Sequence, residues 1–124
     1  MAVPILIVDD DADARDSLAL AFAGEAFEVT TARDGQDALN RLEAGLRPAV
    51  IVLDLHMPVK SGSDLAAHLR AYPELAAIPV VGCSADPYLC YKASALGFVA
   101  AFSKPFDMDD LVATVTKIAH LRAA

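Results

Sequence analysis

The fold is decided by the stretch Ala49-Val50-Ile51-Val52-Leu53-Asp54-Leu55-His56-Met57-Pro58, in which an apolar run stops on a carboxylate. Consecutive apolar residues with several β-branched side chains are typical of a strand covered on both faces, as in a parallel sheet flanked by helices. In open parallel sheets, ligands bind beyond the carboxyl ends of the strands, so Asp54 is predicted to lie where chemistry takes place. The alternative is that Asp54 only caps or turns the chain, since aspartate is a common turn residue.

Composition indicates one folded domain. The chain has 124 residues, of which 56% are hydrophobic and 22% are charged, which excludes a disordered chain and leaves no room for a second domain. We therefore expect residues 1–124 to form one domain with no output domain attached. The net charge of -7 argues against direct nucleic-acid binding, which depends on lysine and arginine at phosphates.

The termini and cysteines indicate the compartment. No basic leader precedes the first apolar run, and the apolar runs are shorter than the ~20 residues that cross a bilayer. We expect a cytoplasmic protein without a membrane segment. Cys83 and Cys90 are too few for a disulfide framework and are interpreted as reduced thiols.

Four further segments have the composition of strands: residues 5–8, 27–31, 79–83 and 99–102. The first is entirely apolar, whereas the second alternates apolar and polar residues, as a strand at a sheet edge does. Each strand is followed by apolar residues at helical spacing. Five strands alternating with five helices predict right-handed crossovers and an α/β fold with a doubly wound parallel sheet in the order 2-1-3-4-5.

The predicted helices have recognisable caps and inner faces. Asp11 or Asp13 is expected to cap the first, Asp86 with Pro87 to start the fourth, and Asp107 to start the fifth. Gly97 is expected to close the fourth. The predicted buried positions are Ala14, Leu18, Ala21 and Phe22 in the first helix, Ala38, Leu39 and Leu42 in the second, Leu65, Leu69 and Tyr72 in the third, Leu89, Ala93 and Leu96 in the fourth, and Leu111, Val115 and Ile118 in the fifth.

Polar residues follow four of the strands, and in a parallel sheet these ends share one edge. They are Asp9 and Asp10, Asp54, Ser84, and Lys104. Each has an ordinary explanation as a cap, a turn residue or a solvated amine. Together they are harder to explain, because two carboxylates about 4 Å apart repel by roughly 4 kcal/mol at an effective dielectric near 20. A bound Mg²⁺ would relieve that repulsion, and the set then contains what an aspartyl phosphate requires.

The chain resembles, over its whole length, the receiver domain of two-component response regulators, which has a flavodoxin-like fold. The matching motifs are Ile7-Val8-Asp9-Asp10-Asp11, Val52-Leu53-Asp54-Leu55-His56-Met57-Pro58 with Gly62, Ser84-Ala85 and Lys104-Pro105-Phe106. Together they are highly specific, although any one alone would be weak.

The resemblance implies a role for each matching residue. Asp54 would accept a phosphoryl group from a histidine kinase or a histidine phosphotransfer protein. Asp9, Asp10, Asp54 and the backbone carbonyl of His56 would hold Mg²⁺. Ser84 would be the switch hydroxyl and Lys104 the conserved-type cation of the pattern, with a cis peptide bond before Pro105.

Two departures from the receiver pattern concern signal output. Ala101 stands three residues before the lysine, where receivers usually carry an aromatic residue that swings inward on activation. Phe98-Val99-Ala100 replaces a common acidic pair that forms salt bridges in many dimeric regulators. With Tyr88 and Tyr91, the face formed by the fourth helix, fifth strand and fifth helix is either an apolar docking face for a downstream protein or a locally packed surface.

The sequence therefore predicts a phosphorylation-dependent switch that signals by protein binding and is not classed as an enzyme. One alternative is a phosphorylation-independent scaffold, which Ala101 favours. A second is a Mg²⁺-dependent phosphatase with an aspartyl nucleophile, which His56 disfavours because such enzymes place a second aspartate there. The oligomeric state is left open.

Overall fold

The five predicted strands form one parallel sheet. A computed structural model describes residues 3–24, 27–55, 62–92, 94–95 and 97–123. Its strands are β1 (Val3–Val8), β2 (Phe27–Ala32), β3 (Val50–Asp54), β4 (Val80–Ser84) and β5 (Ala100–Ser103). Their order is β2-β1-β3-β4-β5, which confirms the predicted topology and places β2 at an edge. All the carboxyl ends therefore meet on one side of the sheet.

Helices cover both faces of the sheet. They are α1 (Ala12–Ala23), α2 (Gly35–Glu43), α3 (Gly62–Arg70), α4 (Pro73–Ala76), α5 (Pro87–Tyr91) and α6 (Met108–Ala123). The five predicted helices are present, and α4 is an additional single turn. Its Pro73 lies in the first turn, where a missing N–H costs no hydrogen bond. None of the described helices combines the length and apolar character needed to cross a membrane.

Two details of the helix prediction were wrong. The helix after β4 ends at Tyr91 instead of continuing to Gly97, because the N–H of Lys92 caps it by donating to the carbonyls of Tyr88 and Cys90. Tyr72 is 47% exposed, because α3 ends at Arg70 and the chain turns before that side chain can reach the core. The side chains of Leu89, Ala93 and Leu96 lie outside the described part of the chain.

The core has two layers, because side chains alternate between the faces of a strand. On one face, Leu6, Val8, Ile51 and Leu53 pack with side chains from α2 and α3. On the other, Ile5, Ile7, Val50 and Val52 pack with Leu18 and Phe22 of α1 and Leu111 and Val115 of α6. The central strands β1 and β3 are thus covered on both sides, as a parallel sheet requires.

Aspartate caps start the helices close to the strand ends. Asp11, not Asp13, caps α1, and its side chain accepts from the N–H of Asp13. Asp86 caps α5 by accepting from the N–H of Tyr88 at 2.9 Å. Asp107 accepts from the N–H of Asp109 at 2.8 Å, one residue before α6. Each of these helices therefore begins only a few residues after the preceding strand, so the loops around the candidate site are short.

Candidate functional site

Three carboxylates meet at the carboxyl edge of the sheet. Asp9 and Asp10 directly follow β1, and Asp54 is the last residue of the neighbouring strand β3. Val8 pairs with Leu53, so Asp9 and Asp54 lie side by side. One carboxylate oxygen from each of the three residues lies within 4.8 Å of the others, and Asp9 and Asp54 are buried. The predicted convergence of these side chains is therefore observed.

Lys104 brings a positive charge to two of these carboxylates. Its Nζ lies 3.4 Å from Oδ2 of Asp9 and 3.5 Å from Oδ2 of Asp54. The lysine follows β5, and its backbone N–H donates to the carbonyl of Ser84 at the end of β4. The Lys104-Pro105 peptide bond is cis, as predicted.

The charges around Lys104 keep it protonated. Burial works to lower the pKa of the amine, but the carboxylates of Asp54 and Asp9 together raise it above its ordinary value. Lys104 is therefore a cation at neutral pH. Among the described residues, three carboxylates and the ammonium of Lys104 meet here, so the donor set suits a further cation.

Ser84 lies beside the acidic group. It is buried, and its Oγ accepts a hydrogen bond from the backbone N–H of Asp86 at 3.0 Å. With Asp54, Ala85, Asp86 and Lys104 it lines a cavity of about 400 Å³. Ser84, Lys104 and Asp54 thus border the same space, which has room for a phosphoryl group.

A second cavity touches the same carboxylates on the α1 side of the sheet. Its volume is about 320 Å³, and Asp9, Asp54 and Lys104 line one end of it. Apolar side chains that include Leu18 and Phe106 form its walls. Asp54, although only 7% exposed, therefore borders open space on two sides and can be reached from outside.

Two contacts that orient Asp9 were missed by the sequence prediction. The backbone N–H of Asp11 donates to Oδ1 of Asp9 at 2.9 Å. The guanidinium of Arg15, one turn into α1, donates to the backbone carbonyl of Asp9 at 2.8 Å. Arg15 falls one helical turn after the cap residue Asp11, but this spacing alone does not indicate which oxygen it contacts. His56, predicted to offer its carbonyl to the metal, lies outside the described residues.

Comparisons with known proteins agree with this geometry. The family model of the response regulator receiver domain matches residues 5–116. The transcriptional regulatory protein PrrA of Mycobacterium leprae is 38% identical over 122 residues, which is 97% of this chain and 51% of that protein. The chain therefore spans about half the length of PrrA, and it covers 26% of the regulatory protein AtoC of Escherichia coli.

Two solved structures are similar to this chain over nearly their whole length. A putative response regulator from Chloroflexus aurantiacus superposes with a TM-score of 0.89 at 27% identity, with 97% of this chain and 99% of that chain covered. The chemotaxis response regulator CheY4 of Vibrio cholerae gives a TM-score of 0.86 at 26% identity, with 95% and 99% covered.

The fold and the acidic strand ends define a signalling domain of the flavodoxin-like class. The chain belongs to the response regulator receiver family and is the receiver domain of a two-component response regulator. Receiver domains are signalling domains that are generally not enzymes, and membership implies interaction with a histidine kinase or a phosphotransfer protein. Receiver domains also usually bind Mg²⁺ at an acidic pocket.

Proposed function

We propose that Asp54 accepts a phosphoryl group from a histidine kinase or a histidine phosphotransfer protein. The observation that carries this proposal is the meeting of Asp9, Asp10 and Asp54 within 4.8 Å, with the ammonium of Lys104 3.5 Å from Asp54. A carboxylate oxygen of Asp54 attacks phosphorus, and the bond from phosphorus to the donor's imidazole nitrogen breaks. Lys104 is positioned to offset charge on the transferred oxygens.

The donor set fits Mg²⁺. Mg²⁺ prefers hard oxygen ligands, usually one or two carboxylates with phosphate oxygens and water. Asp9, Asp10 and Asp54 supply three carboxylates, and the proposal adds the carbonyl of His56 as a backbone ligand. When bound, the ion would stabilise negative charge on the phosphoryl oxygens. The chain's own contribution is to hold Asp9 through the N–H of Asp11 and the guanidinium of Arg15.

Ser84 is the proposed switch. Its Oγ now accepts from the N–H of Asp86, the residue that caps α5. A phosphoryl group on Asp54 would offer oxygens to that hydroxyl and favour a state in which Ser84 and the start of α5 have moved. Phosphorylation then biases an existing equilibrium, and the shifted α5 is the signal.

Output is proposed to occur through protein binding, at the surface formed by α5, β5 and α6. The sequence predicted the same face as fourth helix, fifth strand and fifth helix. Because the structure has the additional α4, these helices are α5 and α6. Residues 1–124 would act as a switch module located in the cytoplasm. Tyr88 and Tyr91 of α5 and Val99 before β5 support the assignment, since all three are exposed.

A phosphorylation-independent scaffold is the second candidate. Ala101 favours it, because no aromatic ring at that position can report the state of Ser84. The intact acidic site favours phosphorylation. One experiment separates the two.

The protein is incubated with Mg²⁺ and acetyl phosphate, and its intact mass is followed over time. We expect one phosphoryl group on the wild type, and none on Asp54→Asn or after Mg²⁺ is chelated. Asp16→Asn, which removes an exposed carboxylate of α1, is the matched control and should be modified like the wild type. Absence of any modification would support the scaffold, and sustained hydrolysis of phosphate esters would support a phosphatase.

A further inference from the structure

The part of the output surface that runs from α5 through β5 differs in charge from its flanks, which carry Asp86 on one side and Asp107, Asp109 and Asp110 on the other. The sequence from 87 to 106 contains Lys92 and Lys104 but no aspartate or glutamate, although the chain has 17 acidic residues and a net charge of -7. Tyr88, Tyr91 and Val99 in this segment are 61%, 84% and 57% exposed. We call Tyr88, Tyr91, Lys92 and Val99, with Arg70, the α5–β5 face.

Three contacts locate parts of the α5–β5 face relative to one another. Lys92 Nζ lies 5.2 Å from the centre of the Tyr88 ring. The thiol of Cys90 contacts the carbonyl of Phe102 at 3.5 Å, which places α5 alongside β5. A Cβ on Gly97, two residues before Val99, would lie 3.8 Å from Cδ of Arg70. Lys92 therefore lies beside the exposed ring of Tyr88, and Arg70 lies beside the chain that leads to Val99.

Phe98 gives this face a rigid base. It is 7% exposed, and its ring packs over Gly82, where an added Cβ would lie 3.2 Å from Cδ2 of Phe98. The sequence allowed two interpretations of Phe98-Val99-Ala100, a docking face or a locally packed surface. Phe98 is packed locally, whereas Val99 is exposed. Val99 is thus held next to a residue that is anchored in the core, which lowers the cost of ordering Val99 on binding.

We propose that the α5–β5 face binds a short segment of a partner protein that carries carboxylates next to an aromatic or branched apolar side chain. The inference rests on the proposed function, because it names the chemistry of that output partner. Tyrosine and arginine are enriched among residues that dominate binding energy. Lys92 and Arg70 complement carboxylates, and because residues 87–106 carry no aspartate or glutamate, carboxylates bound there meet less local repulsion than at the acidic parts of this chain.

Two other occupants fit the charges less well. In a two-fold dimer through this face, Lys92 and Arg70 of both copies would enter one interface, where like charges repel. Nucleic acid would require many more phosphate contacts than two cations provide, on a molecule with a net charge of -7. Self-association of the protein is nevertheless measured in the test below.

The test selects binders from a phage-displayed library of random short peptides, with the protein held in Mg²⁺ and beryllofluoride. We expect the selected peptides to be enriched in Asp and Glu beside aromatic or branched residues. Each is synthesised with a fluorescent label, and binding is measured by anisotropy. Lys92→Glu, Arg70→Glu and Tyr91→Ala should each weaken binding by about tenfold or more. Arg33→Glu, at the start of the loop after the opposite edge strand β2, is the matched control and should bind like the wild type.

Three results would overturn the inference. They are selection of basic or neutral peptides, binding that Lys92→Glu leaves unchanged, and recovery of no peptide above background. A dimer in sedimentation that Tyr91→Ala abolishes would assign the face to a second copy instead. Phosphoryl uptake from acetyl phosphate is measured on the same variants. Normal uptake with failed peptide binding refutes only this inference, whereas failed uptake in the wild type refutes the proposed function.

Discussion

At the scale of single residues, Asp54 is held in a balance of charges. Lys104 lies 3.5 Å from its Oδ2, and two more carboxylates share its surroundings. Burying carboxylates is costly unless they are paired or bound to metal. The site around Asp54 therefore favours binding of a further cation, because a cation offsets the negative charge of the buried carboxylates.

Gly82 and Phe98 form a size-matched pair beside this site. Gly82 pairs with Leu53 on one side and with Ala101 on the other. A Cβ at Gly82 would lie 3.2 to 3.3 Å from side-chain atoms of Leu55 and Phe98. The ring of Phe98 thus lies over a position that only glycine leaves free.

We expect Gly82→Ala to lower the free energy of unfolding by about 1–3 kcal/mol, the usual cost of overpacking a core. Phe98→Leu in the same chain should restore part of that loss, since it removes the ring of one of the two side chains that the added Cβ would meet. Urea denaturation measures both. Gly24→Ala is the control, because its Cβ would meet only the Ala21 carbonyl at 4.0 Å. A neutral Gly82→Ala would refute the packing.

Cys83 predicts a dependence of stability on alkaline pH. Burial raises the pKa of its thiol to about 12, despite the opposing charge of Lys104. Above pH 9 the thiol ionises in the unfolded chain but stays protonated in the folded one. The unfolded state is then favoured, so stability is lost as pH rises towards 12, by about 1 kcal/mol for each pH unit.

Cys83→Val removes this thiol and keeps the site apolar. We expect its free energy of unfolding to fall less than that of the wild type between pH 9 and pH 11, as measured by urea denaturation at each pH. Comparing the two proteins cancels the titration of other groups. Equal losses would show that Cys83 does not titrate in this way.

At the scale of helices and strands, capped helix starts set the geometry of the loops. Asp34 caps α2, and its Oδ1 accepts from the N–H of Asp37 at 2.8 Å. Asp37 in turn accepts from the N–H of Arg33 at 3.1 Å. These two contacts stay within Arg33, Asp34 and Asp37 at the start of α2, so we expect the cap to act on stability.

Asp34→Ala should therefore lower the free energy of unfolding by about 1 kcal/mol, as loss of a cap usually does. Phosphoryl uptake by the folded protein should be unchanged. Asp34→Asn keeps a side-chain acceptor and should lose much less, so thermal unfolding of the pair separates capping from charge. A larger loss for Asn than for Ala would contradict the capping role.

The strands and the meeting of the strand-end side chains were predictable from sequence because both depend on simple patterns. Apolar runs ending on Asp9, Asp54 and Ser84 indicated the strands and the edge where they meet. The single turn α4 and the early end of α5 were not predictable, because segments of four or five residues carry no helical period. Arg15 was missed because its partner is a backbone carbonyl, which no side-chain pattern reveals.

At the scale of the whole molecule, charge is distributed unevenly. The chain carries a net charge of -7, and three carboxylates converge at one edge of the sheet. Residues 87–106, by contrast, contain no aspartate or glutamate. Binding of a divalent cation at the acidic edge should stabilise the folded state, since the unfolded chain does not bring these carboxylates together.

We expect Mg²⁺ at about ten times its dissociation constant to add about 1.4 kcal/mol to the free energy of unfolding. For a domain of this size the melting temperature should rise by about 5 °C. Asp10→Asn should reduce that rise, whereas Asp16→Asn removes an equal charge on α1 and should not. Differential scanning fluorimetry with and without Mg²⁺ gives the comparison. An unchanged rise in Asp10→Asn would remove Asp10 from the metal site.

The central claim is that the ends of β1, β3, β4 and β5 form one phosphoryl-binding site around Asp54. Its most direct test is a titration with Mg²⁺ and beryllofluoride, a phosphoryl mimic, followed residue by residue by ¹H–¹⁵N NMR. We predict that amide signals near Asp9, Asp54, Ser84 and Lys104 shift together when both are present, and that Asp54→Asn shows no response to beryllofluoride. The same beryllofluoride-dependent shifts in Asp54→Asn, or shifts confined to residues away from these strand ends, would contradict the account.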